Sequence, residues 1–343
     1  MKHWTRAGLV AVGLLGAGAA SAATTSFTLD GAVANPAIHD AATLAASPQE
    51  ERTHREQVYG GVSLWGLIET AAPLFDPSIK HDLLRRVLVA TGSDGYKAVY
   101  SLGELDPGFG GVGLPHIVAT TANGAPLGEN GFARVVSPED GRPGRFVSTL
   151  ASLEVVDLTR RGVPAPGGTS DGFTLSGAIS APGRVTEADL AGRTRITRST
   201  TYIAGGVEVT ESFSGVSLWD FLDSRGVVTD PSIKNDIFRK ALIATGSDGY
   251  QVAYSLGEIL PAYGDPEQMI MLAIVGGDAG FARLVFPGDR RGGRFVSNLV
   301  DLRVVDATRP ALAPVPLPGA GLLYGAAMLG FIGVAARGRR RRV

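Results

Sequence analysis

The chain has 343 residues, with 32 Lys and Arg against 33 Asp and Glu and no cysteine. The missing thiol excludes disulfides, cysteine nucleophiles, Cys-ligated zinc, iron–sulfur clusters and thiolate-bound molybdenum, so stability has to come from packed cores. Setting aside Lys2 and Arg6 at one end and five arginines at the other leaves 25 basic against 33 acidic residues, an acidic body with no electrostatic footprint for nucleic acid.

In chain order, Lys2, His3 and Arg6 precede an apolar run from Ala7 to Ala20, and Ala20-Ser21-Ala22 supplies a small-x-small cleavage pattern. Residues 1–22 therefore read as a signal peptide. Alternation from Phe27 to Val33 predicts a strand, and Leu64, Trp65, Leu67 and Ile68 give an apolar face to a helix over Leu64–Ala71, closed by Pro73. Asp76 as N-cap and Pro77 at the first helical position predict a second helix over Pro77–Arg86. Val87–Thr91 and Ala98–Leu102 flank Ser93-Asp-Gly-Tyr96, a hairpin signal, and Arg134–Val136 and Leu153–Val156 read as closing strands. The predicted class is α+β with more strand than helix.

The chain then repeats itself. Gly61-Val-Ser-Leu-Trp65, Asp76-Pro-Ser-Ile-Lys80 and Ala90-Thr-Gly-Ser-Asp-Gly-Tyr96 recur 154 residues later, and Gly131-Phe-Ala-Arg134 and Arg145-Phe-Val-Ser148 recur after 149. Phe27-Thr-Leu29 recurs as Phe173-Thr-Leu175. Two tandem domain-sized copies follow, over 24–158 and 171–308, joined by a Pro- and Gly-rich linker at 159–170. Beyond copy two, Gly319–Ala336 is uncharged and long enough to predict a membrane span, and the arginines from Arg337 to Arg342 form its cytoplasmic stop.

Several residues carry candidate chemistry. Asp94 and Tyr96, with Asp248 and Tyr250, either face a ligand or simply build and pack a turn. Arg134 and Arg283 either bind an anion through the guanidinium fork, pair with Glu104 and Glu258, or lie along a strand in solvent. Trp65 and Trp219 could stack on carbohydrate, but their helical spacing in an apolar run points to the core. His39, His54, His81 and His116 all lie in copy one without metal-ligand spacing, so no metal site is expected and the imidazoles are expected in solvent. No Gly-x-Ser-x-Gly elbow occurs, Gly110-Gly-Val-Gly113 reads as loop, and copy two has no histidine to serve as a base.

Two family resemblances attach to these motifs. Val315-Pro-Leu-Pro-Gly319, the apolar segment 319–336 and the terminal arginines together resemble a PEP-CTERM sorting signal of the VPLPA-like kind, with Gly319 in place of Ala. This resemblance implies an exosortase-type sorting protease as partner, a transient membrane anchor, and delivery to the bacterial cell envelope or extracellular matrix. The series Gly-Val-x-Leu-Trp, Asp-Gly-Tyr, Ser-Leu-x-Glu, Gly-x-x-Arg and Phe-Val-Ser resembles, in both copies, the molybdopterin-binding domain of the sulfite oxidase family. It implies an α+β fold around a molybdenum–pterin cofactor held by a cysteine from a segment corresponding to Ala41–Gln57 and Ile196–Glu211. Those segments offer no thiol, only hydroxyls such as Ser47, Thr53, Ser199, Thr200 and Thr201 in its stead, a poor replacement for a thiolate, and Ser148 and Ser297 stand where the family often has lysine.

No cofactor is therefore expected. The leading expectation is an exported, non-catalytic binding or structural module with two degenerate molybdopterin-binding-like domains. The alternative is an oxidoreductase that retains the pterin without a cysteine ligand. A third reading, suggested by the tail, is association with a matrix or polysaccharide, reached through Trp65 or Trp219.

Overall fold

The computed structural model describes residues 24–110, 115–263, 271–274, 278 and 280–309. The expected signal peptide, sorting motif and apolar segment 319–336 lie outside the described residues. Among those described, no helix is long and apolar enough to cross a membrane.

Copy one runs β1 (Ser26–Gly31), β2 (Ala37–Asp40), α1 (Ala41–Ala45), β3 (Gln49–His54), β4 (Gln57–Ser63), α2 (Leu64–Ala71), β5 (Arg86–Gly92), β6 (Lys97–Ser101), α3 (Leu102–Leu105), β7 (Ile117–Ala122), β8 (Ala125–Pro126), β9 (Arg134–Val136) and β10 (Leu150–Asp157). Copy two runs β11 (Phe173–Gly177), β12 (Gly183–Val185), α4 (Glu187–Ala191), β13 (Ile196–Ala204), β14 (Val207–Ser217), α5 (Leu218–Ser224), β15 (Lys240–Gly246), β16 (Gln251–Ser255), α6 (Leu256–Ile259), β17 (Met271–Ile274), β18 (Ala282–Val285) and β19 (Leu299–Asp306). Strands dominate, and the class is α+β as the periodicities predict.

Each copy has one five-stranded sheet of the same order, β2-β1-β10-β5-β6 and β12-β11-β19-β15-β16. In both, the first strand of the copy runs parallel to its last, and the remaining pairs are antiparallel. A second sheet is built on the β3–β4 hairpin in copy one and on β13–β14 in copy two, continuing through β7 and β17. The α2 helix covers the predicted residues, capped by the Ser63 hydroxyl on Gly66 N, with Leu64, Leu67 and Ile68 buried. Trp65 and Trp219 are partly buried against the cores of their own copies.

The expected helix over Pro77–Arg86 does not form. Asp76 turns the chain instead, its carboxylate accepting from Ser78 N at 2.9 Å and Ser78 Oγ at 2.6 Å. His81 then takes a left-handed backbone at φ +52°, leaving only a short 3-10 turn over Asp82–Arg85 before β5 begins. Copy two repeats the device with Asp230 and Asn235. Pro77 and its N-cap match a helix start equally well, but the competing carboxylate–backbone bonds define a turn.

This turn places an apolar plug in the other copy. Phe238, from the copy-two turn, is buried in the core of copy one beside Leu88, Tyr100 and Leu102. Leu84, from the copy-one turn, is buried in the core of copy two, as is Phe109. A smaller shared cluster joins Val87, Val89 and Val99 to Ala241, Ala253 and Ala307. Each core is thus completed by the opposite copy.

Candidate functional site

Where the copies meet, polar residues form a buried, nearly two-fold network. Arg145 is 3% exposed and Arg294 4%. Arg294 grips Asp289 with Nε and Nη2 at 2.9 and 2.8 Å and reaches Glu258 with Nη1 at 2.6 Å. Arg145 makes the same fork on Asp140, at 2.9 and 2.5 Å, and the same bond to Glu104. The glutamates are then crossed over between copies: Ser101 Oγ donates to Glu258 at 2.7 Å, and Ser255 Oγ donates to Glu104 at 2.9 Å. Each serine also caps its own short helix, α3 or α6, through the backbone N–H of the glutamate.

The glycine of each Ser-Leu-Gly-Glu segment follows from this geometry. A Cβ on Gly103 would lie 2.4 Å from Arg294 Cδ, and one on Gly257 would lie 2.3 Å from Arg145 Cδ. Tyr100 and Tyr254 close the network by donating to the Arg145 and Arg294 carbonyls. Buried guanidiniums are tolerable only when every donor is matched, which the forks provide.

The charges do not balance. Two arginines face four carboxylates, and His116 adds its imidazole Nε2 3.5 Å from Glu104. Burial pushes Glu104 up, but Arg145 and His116 outweigh it and hold the carboxyl down at about 2. Glu258, raised by burial and by the neighbouring Glu104, lacks a histidine, because Ile270 stands in sequence where copy one has His116. Burial also raises Asp140 and Asp289 against the pull of their arginines.

Expectations about individual residues are corrected here. Arg134 and Arg283 do not pair with Glu104 and Glu258, because Arg145 and Arg294 occupy those carboxylates. Arg134 instead lies over the Phe146 ring at 5.1 Å, and burial lowers its affinity for the proton. Arg283 lies over Phe213 and Phe295 at 5.2 and 5.3 Å, with Nη1 3.7 Å from Glu211. The histidines are not all in solvent: His54 is buried with Nδ1 3.3 Å from the Pro138 carbonyl, and His116 sits in the network.

Asp94 and Asp248 accept from the backbone N–H of Tyr96 and Tyr250 at 2.9 and 3.0 Å, and so shape their turns. Tyr96 donates to the Gly144 carbonyl and Tyr250 to Gly293. The repeated Asp-Pro-Ser-Ile-Lys loop of each copy reaches the tyrosine of the other, with Lys234 5.9 Å over Tyr96 and Lys80 6.0 Å over Tyr250. Asp94 is exposed at its turn, Tyr96 is met by Lys234 and Asn235 of copy two and Arg134 packs on Phe146, whereas Asp248, Tyr250 and Arg283 line a common groove of about 980 Å³ in copy two.

Sequence reasoning passed over Arg145, Arg294, Asp140, Asp289, Ser101 and Ser255. The available signal was charge repeated inside apolar segments: an Asp five residues before each Arg-Phe-Val-Ser, in both copies. Such residues are buried only when paired.

The implied molybdenum–pterin group does not fit the residues present. The family's thiolate has no counterpart in the corresponding segments, and several hydroxyls in and near them are otherwise engaged. Thr200 Oγ1 donates to the Pro287 carbonyl at 2.7 Å, Thr201 and Thr210 share a bond at 2.8 Å, and Ser148 donates to Asn130 at 2.9 Å.

No family model matches the sequence, and no curated protein does. Among solved structures, the chain is similar to the sulfane dehydrogenase SoxCD from Paracoccus pantotrophus, at 12% identity over 83% of this chain and 78% of that one, with a TM-score of 0.30. A likeness of that strength assigns neither a family nor a site.

Proposed function

We propose that this chain is an exported, non-catalytic binding module, sorted to the cell envelope or its matrix after processing by an exosortase-type protease. One observation supports the non-catalytic reading: the repeated serines, glutamates and arginines of the buried seam are engaged with one another in closed ion pairs and hydrogen bonds. A catalytic group needs an open valence toward substrate, and these have none. The signal-like start and the Pro-motif, apolar, arginine order of the tail support export and sorting.

The test is cofactor content. Purified chain should carry neither stoichiometric molybdenum by elemental analysis nor pterin fluorescence after acid oxidation. Stoichiometric amounts of both would overturn the reading and restore the oxidoreductase alternative.

A further inference from the structure

The groove in copy two differs from the seam in having exposed charge. It lies between the β13–β14 hairpin, the linker at Gly168 and Thr169, the Asp248–Tyr250 turn and the segment before β19. Lys80 and His81, both from copy one, also line it; burial and the neighbouring Lys80 and Arg291 hold the His81 imidazole below its ordinary value. Arg291 is exposed and has no ion pair among the described residues. Arg283 has its ring-facing side packed and its Nε buried without a hydrogen-bond partner.

The groove also holds hydrogen-bonding groups of the opposite character, Asp248 and Asp278, with Ser297 and Asn298 beside them. Tyr202 and Phe295, each 5% exposed with rings 4.7 Å apart, form its packed wall, and the half-buried Tyr250 gives it an aromatic edge. Cations alone would suit any anion. Cations interleaved with carboxylates, a hydroxyl and an aromatic edge suit a ligand that carries an anion and several hydroxyl donors on an apolar ring face.

Copy one builds the corresponding hairpin differently. Both hairpins turn over two residues, Arg55-Glu56 in copy one and Gly205-Gly206 in copy two. Arg55 and Gly205 share the left-handed backbone, at φ +56° and +60°. The Arg55 side chain ties the copy-one hairpin by donating to the Gly141 carbonyl at 2.7 Å; copy two ties its hairpin through the backbone, Ile203 N–H donating to the Arg290 carbonyl at 2.9 Å, and leaves open space beside Gly205. Where copy one presents Lys80 and His81 to the groove, copy two presents Lys234 and Asn235, and the Asn235 amide is bonded to Tyr96 at 3.0 Å.

We propose that the copy-two groove is a single site for an acidic oligosaccharide, its sugar carboxylates met by Lys80, Arg283 and Arg291 and its hydroxyls by the neighbouring carboxylates. This rests on the reading of the chain as a binding module. The site is composite, and copy one takes part by contributing Lys80 to it.

Isothermal titration calorimetry of the full chain with trigalacturonate tests the assignment. Binding should be one to one and weakened by salt, because its anchors are exposed charges. Lys80→Ala and Arg291→Ala should each weaken it about tenfold or more. Gly205→Arg, which puts a long side chain into the open space at the rim of the groove, should weaken it, and Lys234→Ala should leave it unchanged. Unaltered urea midpoints establish that each variant is folded. The proposal is overturned if trigalacturonate fails to bind, if Lys80→Ala and Arg291→Ala are without effect, if neutral maltotriose binds as well, or if inorganic phosphate displaces the sugar at equal concentration. Failure here without molybdenum or pterin in the protein sinks this assignment alone; finding the cofactor sinks the functional reading beneath it.

Discussion

The seam and the hairpin tips teach opposite lessons about the same duplication. Across the seam the two copies have kept the same residues: Ser101 and Ser255, Gly103 and Gly257, Glu104 and Glu258, Arg145 and Arg294. At the tips they have separated, with Arg55-Glu56 against Gly205-Gly206. Each seam residue is held by a partner in the opposite copy or by one that is so held, and a change on either side would strand a buried charge. The tips touch no such partner. Identity between the copies therefore marks mutual packing, and divergence marks the place where one copy has acquired a separate use.

The largest break in this comparison is Arg294→Met, or Arg145→Met in the other copy. Each leaves an Asp and a Glu carboxylate buried without their guanidinium, Glu104 keeping only His116 beside it, and should cost about 3–5 kcal/mol in urea unfolding, nearly equally for the two. A markedly smaller cost in one copy would show that the seam is not symmetric in energy. Next come the apolar plugs. Phe238→Ala should cost about 3–5 kcal/mol and Leu84→Ala about 2–5, each read as a fall in unfolding midpoint, although each removes contacts from the core of the opposite copy. Gly103→Ala and Gly257→Ala should cost about 1–3 kcal/mol, because the added methyl meets an arginine methylene that has no room to retreat.

The smallest effect sharpens the one asymmetry inside the seam. Glu104 is held well below its ordinary value, so its stabilising contribution is present above that ordinary value and is lost only as pH falls toward about 2. Glu258 is raised, so its contribution favours the fold at low pH and is lost as pH rises through its folded value. Glu104→Gln should therefore destabilise at every pH from 5 to 8. Glu258→Gln should cost less at pH 8 than at pH 5, because the charged form of Glu258 is the one the seam disfavours. Thermal melts at pH 5 and pH 8 read this directly, and parallel behaviour of the two variants would contradict the split assigned to His116.

Much of the fold was legible in the sequence because its periods are short. Alternation placed β1, the Asp-Gly turn placed the β5–β6 and β15–β16 hairpins, and Leu64–Ala71 matched its apolar stripe. The helix misread at Pro77–Arg86 failed because an N-cap and an Asx turn begin with the same residues, and only the left-handed His81 tells them apart. The site was less legible. Asp94 and Tyr96 drew attention by repetition, yet repetition here reflects turn geometry and a contact from the other copy. Glu104 and Arg145 are 41 residues apart, and Ser101 and Glu258 are 157 apart, so no local pattern could join them. The groove depended on a difference at one tip residue, which a search for repeats passes over.

The central claim is that the repeated motifs fasten the two copies into one cooperative unit. Trp65 and Trp219 report on one copy each, so urea unfolding can be followed by fluorescence in Trp219→Phe and Trp65→Phe variants, both in a Trp4→Phe background. The account predicts a single transition with slopes that agree between the two probes, and midpoints that shift together when Arg294→Met is added. Two separate midpoints, or an Arg294→Met shift confined to the Trp219 signal, would contradict it.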